Sequence, residues 1–160
     1  MSTVTSTQNF NLIGTETFTA DEMPASSMRQ IQYNQFVSAS NLNSGSTPPA
    51  AKAYAERLDG SQMLDLTALV RTFGAALNAS GLKLQQIQLV NESSTVSVNV
   101  AAGSSNGYAF NGAAGDKTIP AGGKWAEFFN DALHDVDATH KVLQITGTTG
   151  QKYSLIMIFG

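Results

Sequence analysis

The residues best equipped for chemistry are gathered in the run Asn130-Asp131-Ala132-Leu133-His134-Asp135-Val136-Asp137-Ala138-Thr139-His140-Lys141, which holds both histidines of the chain beside three aspartates. Imidazole and carboxylate are ligands that zinc or manganese accepts, so a divalent metal site is the sharpest reading of this run. A polar loop at a sheet edge is the plainer one. Neither an HExxH spacing nor a DxDxDG calcium loop occurs, which favours the loop. No metal ligand and no cofactor is assigned.

Nucleophilic catalysis needs a base held beside the nucleophile by a third group. Serines are many and histidines few, so spacing singles out no triad, and no catalytic residue is assigned. The glycine-rich pieces Gly103–Gly107 and Gly112–Gly115 read as turns before phosphate cradles, because neither joins a strand to a helix. Trp125, Phe128 and Phe129 could form an aromatic platform for a glycan. Trp125 and Phe129 share a parity, with Phe128 on the opposite face. Core packing is the commoner role for such rings, and the glycan reading requires Trp125 to be exposed.

The elements that must position these groups read as strands. Leu82 to Val100 contains two runs rich in branched apolar residues around the polar piece Asn91-Glu92-Ser93-Ser94, the pattern of a β-hairpin with a short loop. Val96, Val98 and Val100 alternate with Thr95, Ser97 and Asn99, giving one buried and one polar face. In the first run, Leu82 and Leu84 share one parity and Ile87 and Leu89 the other, so a β-bulge is expected near Gln85-Gln86. Ala53–Leu58 and Gln62–Leu66 flank Asp59-Gly60, a dipeptide favoured in hairpin turns. Leu69, Val70, Phe73, Ala76 and Leu77 have helical spacing, which predicts one or two helical turns before Gly81, with Phe73 in the core. Tyr108 and Phe110 form a short strand or lean over an end of the fold. Pro120 places Lys124–Phe129 at an edge or strand start. Val142–Thr146 and Lys152–Phe159 are the closing strands. Tyr153, Leu155, Met157 and Phe159 lie on one face, while Ile156 and Ile158 imply cover on the other.

Residues 1–50 carry only Glu16, Asp21, Glu22 and Arg29 as charges and end in the turn-rich Asn43–Pro49. They read as an extended arm or as one or two strands, with Gln30–Val37 the candidate strand. Residues 51–160 read as one domain, an antiparallel β-sandwich with one short helical segment, for which jelly-roll connectivity is one of the open strand orders. Across 160 residues only 13% are charged, roughly half the usual share. Such a surface suits extended protein interfaces. A net charge of −3 leaves no basic footprint for nucleic acid. No apolar run is long enough to cross a bilayer, and the start of the chain lacks a secretory signal, so synthesis in cytoplasm is expected. The absence of cysteine excludes disulfides and thiolate metal sites.

Several short stretches together resemble a class of small tailed-phage virion proteins. They are Asp65-Leu66-Thr67-Ala68-Leu69, the strand ending Leu89-Val90-Asn91-Glu92-Ser93-Ser94, the turn Ile119-Pro120-Ala121-Gly122-Gly123, Val136-Asp137-Ala138 and the closing Tyr153–Gly160. The resemblance covers residues from about 50 to 160 and is one of pattern. It implies a non-enzymatic β-sandwich subunit of a bacteriophage particle, most naturally a capsid cement or decoration protein, otherwise a head-fibre or tail component. It further implies a place on the capsid exterior, with the major capsid protein and copies of the chain itself, commonly as trimers, for partners. The interface residues expected are Phe10, Ile13, Phe18, Ile31, Tyr33 and Phe36 in the N-terminal stretch, with Thr95, Ser97 and Asn99 on the polar strand face.

Overall fold

The computed structural model describes residues 6–17, 30–72, 75–110, 116–129 and 132–160, with side chains described from Leu42 onward. Phe18, Phe73, the glycine-rich piece from residue 112 to 115 and Asp131 therefore lie outside the described residues. The chain divides into two compact units, Ser6–Asn41 and the unit beginning at Leu42 and ending at Gly160. The first consists of β1 (Ser6–Thr17) and β2 (Gln30–Leu42), which pair with each other as a two-stranded sheet. Gln30–Val37 is thus strand, as its partial alternation predicts. Asn43–Pro49 is a turn closed on itself, with Ser46 Oγ 2.8 Å from Asn43 O and 2.7 Å from Pro48 O, either of which its single proton can serve.

The second unit holds β3 (Lys52–Asp59), β4 (Gln62–Asp65), β5 (Leu84–Asn91), β6 (Val98–Ala102), β7 (Lys117–Ile119), β8 (Lys124–Phe128), β9 (Val142–Thr146) and β10 (Lys152–Phe159). They form two four-stranded antiparallel sheets, ordered β3-β10-β5-β8 and β4-β9-β6-β7. The consecutive pairs β3/β4, β5/β6, β7/β8 and β9/β10 are split between the sheets, while β6 and β7 are neighbours in one sheet. This corrects both expected hairpins. Asp59-Gly60 does reverse the chain, with Gly60 at φ +60°, but β3 then pairs with β10 while β4 pairs with β9. Likewise β5 pairs with β10 and β8, and β6 with β7 and β9. Local turn chemistry marks a reversal; which sheet receives the next strand depends on partners far along the chain.

One apolar core takes residues from both sheets: Tyr54, Ile87, Leu89, Trp125, Leu155 and Met157 from the first, and Leu64, Val98, Val100, Ile119, Leu143 and Ile145 from the second. Tyr153, Leu155, Met157 and Phe159 are fully buried, as the parity of β10 predicts, and β10 lies inside its sheet. The expected bulge is present. Ile158 faces Gln86 and Phe159 faces Leu84, so Gln85 is the extra residue, and its carbonyl accepts the Phe129 N–H at 2.9 Å. The bulge lets Leu84 and Ile87, of opposite parity, both enter the core.

Among the described residues no helix forms. Where helical turns are expected, Leu69 and Leu77 exchange both backbone hydrogen bonds at 2.9 Å as an antiparallel bridge. Leu69 and Leu77 are buried, whereas Val70 and Ala76, which helical packing would cover, are exposed. Gly74 inside the run and the turn at Asp65-Thr67 weaken helix, while the bridge buries the same two leucines without one. Tyr108 and Phe110 form no strand and pack into the core. Pro120 sits between β7 and β8, and β8 is an edge strand.

Candidate interaction surfaces

From Ala132 to Lys141 the histidine-aspartate run is a loop folded around its own carboxylate. Asp137 Oδ1 accepts the backbone N–H of Thr139 and of His140, each at 2.7 Å, and lies 3.2 Å from His140 Nδ1. Bonds from Thr139, backbone and then hydroxyl, followed by those from His140, hold the Asp137 carboxyl well below the usual carboxylate range. The His134 and His140 rings stack with centroids 4.8 Å apart. Buried Val136 anchors the loop, donating its N–H to Leu82 O at 2.8 Å and accepting from Gly81 N at 2.9 Å. Tyr108 Oη donates to His134 O at 2.7 Å and accepts from Leu84 N at 3.0 Å. Among the described residues no three histidine, aspartate or glutamate side chains gather as metal ligands do.

No GxSxG nucleophile elbow is expected from the sequence, yet Gly103-Ser104-Ser105-Asn106-Gly107 spells that pattern. A turn is what it is. It follows β6, no helix comes after it, Ser105 is exposed, and no hydrogen bond joins Ser105 to either imidazole among the described residues. The elbow's strand-to-helix geometry is missing.

Trp125 is 7% exposed, packs against Phe110 at 5.6 Å between centroids and donates its indole N–H to Glu127 Oε2 at 3.1 Å. Phe129 joins the same core, and Phe128 packs on the other side of the sheet with Ile158. The parity of the three rings is as expected, but burial removes Trp125 from any glycan platform.

The end of the unit where the strands cross between sheets is locked by two buried amides, Asn91 and Gln151. Asn91 Nδ2 lies 2.8 Å from Val96 O, 2.9 Å from Pro120 O and 3.3 Å from Ile119 O. Gln151 Nε2 reaches Asn91 Oδ1 at 3.2 Å and Val96 O at 3.1 Å, while its Oε1 accepts Thr148 N at 2.9 Å. The β3/β4 link joins through Gly60 N to Gln151 O at 2.9 Å and Ser61 Oγ to Gly147 O at 2.8 Å. Nothing in local periodicity marks these amides as interior.

Two rows of the outward face of β3-β10-β5-β8 are free of charge. One row, Ala53, Ile158, Gln86 and Phe128, is defined by strand register, and Leu42 and Ala50 pack on its apolar members. The next row, Ala55, Ile156, Gln88 and Ala126, is bare enough that Ile156 is 41% exposed. Cover on the second side of β10 thus begins at Ile158 and does not extend to Ile156. The third row adds Arg57, Ser154, Val90 and Lys124. Here Glu92 binds Arg57 Nε at 2.8 Å and Ser154 Oγ at 2.6 Å, and the Arg57 bond is the main cause holding the Glu92 carboxyl low.

Of the expected interface residues, Thr95 and Ser97 are exposed in the β5/β6 link, and Asn99 is half-buried on β6, bonded to Thr118 Oγ1 at 3.2 Å. The polar strand therefore starts at Val98, later than its alternation suggests. Phe10 and Ile13 lie on β1, and Ile31, Tyr33 and Phe36 on β2. A groove of about 370 Å³ runs between β3, β4 and residues 68–72, rimmed by exposed Met63 and Val70. Its charges are committed: Glu56 accepts from Thr72 N at 2.7 Å, Arg71 donates to Ala53 O at 2.6 Å, and Asp65 binds Lys141 Nζ at 3.0 Å.

No protein-family model, curated protein or solved structure matches the chain. No helix among the described residues is long and apolar enough to cross a membrane.

Proposed function

We propose that the chain is a non-enzymatic structural subunit of a bacteriophage particle, a capsid cement or decoration protein that bridges major capsid subunits from outside. The observation that carries this reading is the strand order. Orders β3-β10-β5-β8 and β4-β9-β6-β7, with β3/β4, β5/β6, β7/β8 and β9/β10 each split between the sheets, support reading the unit as an eight-stranded jelly-roll sandwich, an architecture that recurs in viral shells. Fold alone does not fix function. The surface supports the same reading: 13% charged residues lower the desolvation cost of a large interface.

In this reading residues 1 to about 40 are the main anchor, and Thr95, Ser97 and Asn99 add a second contact. The experiment is particle binding by the full chain and by a variant lacking residues 1–40, with Trp125 emission reporting the fold of the remaining unit. Lost binding with unchanged emission supports the anchor. Undiminished binding by the truncated chain overturns it, and failure of the full chain to bind its particle overturns the cement reading itself.

A further inference from the structure

The two units treat their sheet edges in opposite ways. In the second unit the edge strands are β3, β8, β4 and β7. β3 carries Lys52, Glu56, Arg57 and Asp59, and its Ala53 carbonyl is covered by Arg71. β4 has four residues and ends in Asp65, β7 has three and starts at Lys117, and β8 has five with Lys124 and Glu127. Short length and charge are the devices by which a sheet edge avoids pairing with another chain.

β1 and β2 have neither device. They are 12 and 13 residues long, carry Glu16 as their single charge and contain no proline. Each is roughly 40 Å of extended chain. Among the described residues each has the other as its one strand partner, and each keeps one edge of backbone donors and acceptors without a strand beside it. A two-stranded sheet is marginal in water, and three or more strands are needed for independent stability.

We infer that β1 and β2 pair edge to edge with the same strands of further copies of this chain, making a sheet shared between subunits. A second copy is the occupant because it brings an edge of matching length and equal lack of charge, so no like-charge cost opposes the join. The inference concerns the isolated chain and stands apart from the particle reading.

The test is light-scattering mass of the full chain at about 50 µM, compared with a Gln8→Lys/Asn34→Lys double variant, since association depends on concentration. The expected result is a mass of two or more copies for the natural chain and of one copy for the variant, with Trp125 emission unchanged. The chain has no cysteine, so Ser38→Cys takes a single nitroxide, and dipolar coupling between copies is expected within roughly 20 Å, four strand spacings. This second measurement decides the matter if the double variant unfolds. A monomeric natural chain, an associated double variant that keeps its fold, or an oligomer without coupling between labels overturns the inference.

Discussion

Gln151 Nε2 lies 3.2 Å from Asn91 Oδ1, so two buried amides, one ending β5 and one just before β10, form the centre of the end at which the sheets exchange strands. Between them they satisfy the carbonyls of Val96, Ile119 and Pro120 and the N–H groups of Ser93 and Thr148. A buried polar group left without its partner costs more than the bond itself contributes.

Asn91→Ala should therefore destabilise the second unit by about 2–3 kcal/mol, because it strands several backbone groups at once. Gln151→Ala should cost a similar amount, and the double variant less than the sum, by about 1 kcal/mol, since the two side chains share partners. Urea unfolding followed by Trp125 emission measures all three. Additive losses would show that the amides act independently.

How much was legible in the sequence follows from the range of each signal. The parity of β10 and the change of parity at Gln85 are set by what each side chain needs locally, and both read correctly. Which strands neighbour each other within a sheet is set by contacts such as Tyr153 opposite Asn91 and Leu64 opposite Leu143. No local pattern encodes those, so neither the hairpin expected at Asp59-Gly60 nor the one expected around Asn91–Ser94 forms. Leu69 and Leu77 have spacing that suits a helix or a bridged loop equally. Asn91 resembles any turn residue until the turn is seen to be buried, and the exposure of Ile156 depends on where the cover from Leu42 ends. The candidate surfaces were legible only as composition: a low charge says that a face is suited to contact, not which face it is.

Two buried tyrosines should respond oppositely to loss of the hydroxyl. Tyr153 Oη is buried without a hydrogen-bond partner among the described residues, whereas Tyr108 Oη donates to His134 O and accepts from Leu84 N. Tyr153→Phe should be neutral or stabilising by up to about 1 kcal/mol, and Tyr108→Phe destabilising by about 1–2 kcal/mol. Paired denaturant curves decide it, and equal losses from the two variants would contradict the assignment.

Stability should decline at both ends of the pH scale. Burial works to raise the Asp65 carboxyl, but bonds from Thr67 and Lys141 outweigh it and hold it low, and Arg57 does the same for Glu92. A carboxyl lower when folded binds fewer protons than in the unfolded chain, so its contribution is present above the ordinary value of about 4 and is lost as pH falls through the folded value. Burial pushes the Tyr108 hydroxyl up to about 12 from 10.0. Its contribution is present below the unfolded value and lost as pH rises from one to the other. Unfolding free energy measured against pH should thus plateau near neutrality and fall on both limbs. Glu92→Gln should soften the acid limb and Tyr108→Phe the alkaline one. An alkaline limb unchanged in Tyr108→Phe would refute the assignment.

The second proposed contact can be separated from the fold because its residues carry little of the packing. Thr95 and Ser97 are exposed in the β5/β6 link, while Val96 between them supplies the carbonyl that Asn91 and Gln151 bind. Thr95→Arg and Ser97→Arg should leave unfolding free energy within about 0.5 kcal/mol of the natural chain, as surface substitutions do. If this face meets a capsid subunit, a bulky charge there must be desolvated or must displace the partner, and affinity for particles should fall about tenfold or more. Particle sedimentation with labelled protein gives the affinity, and the urea curve gives the control. Unchanged affinity in both variants would remove Thr95 and Ser97 from the interface and leave residues 1 to about 40 as the anchor.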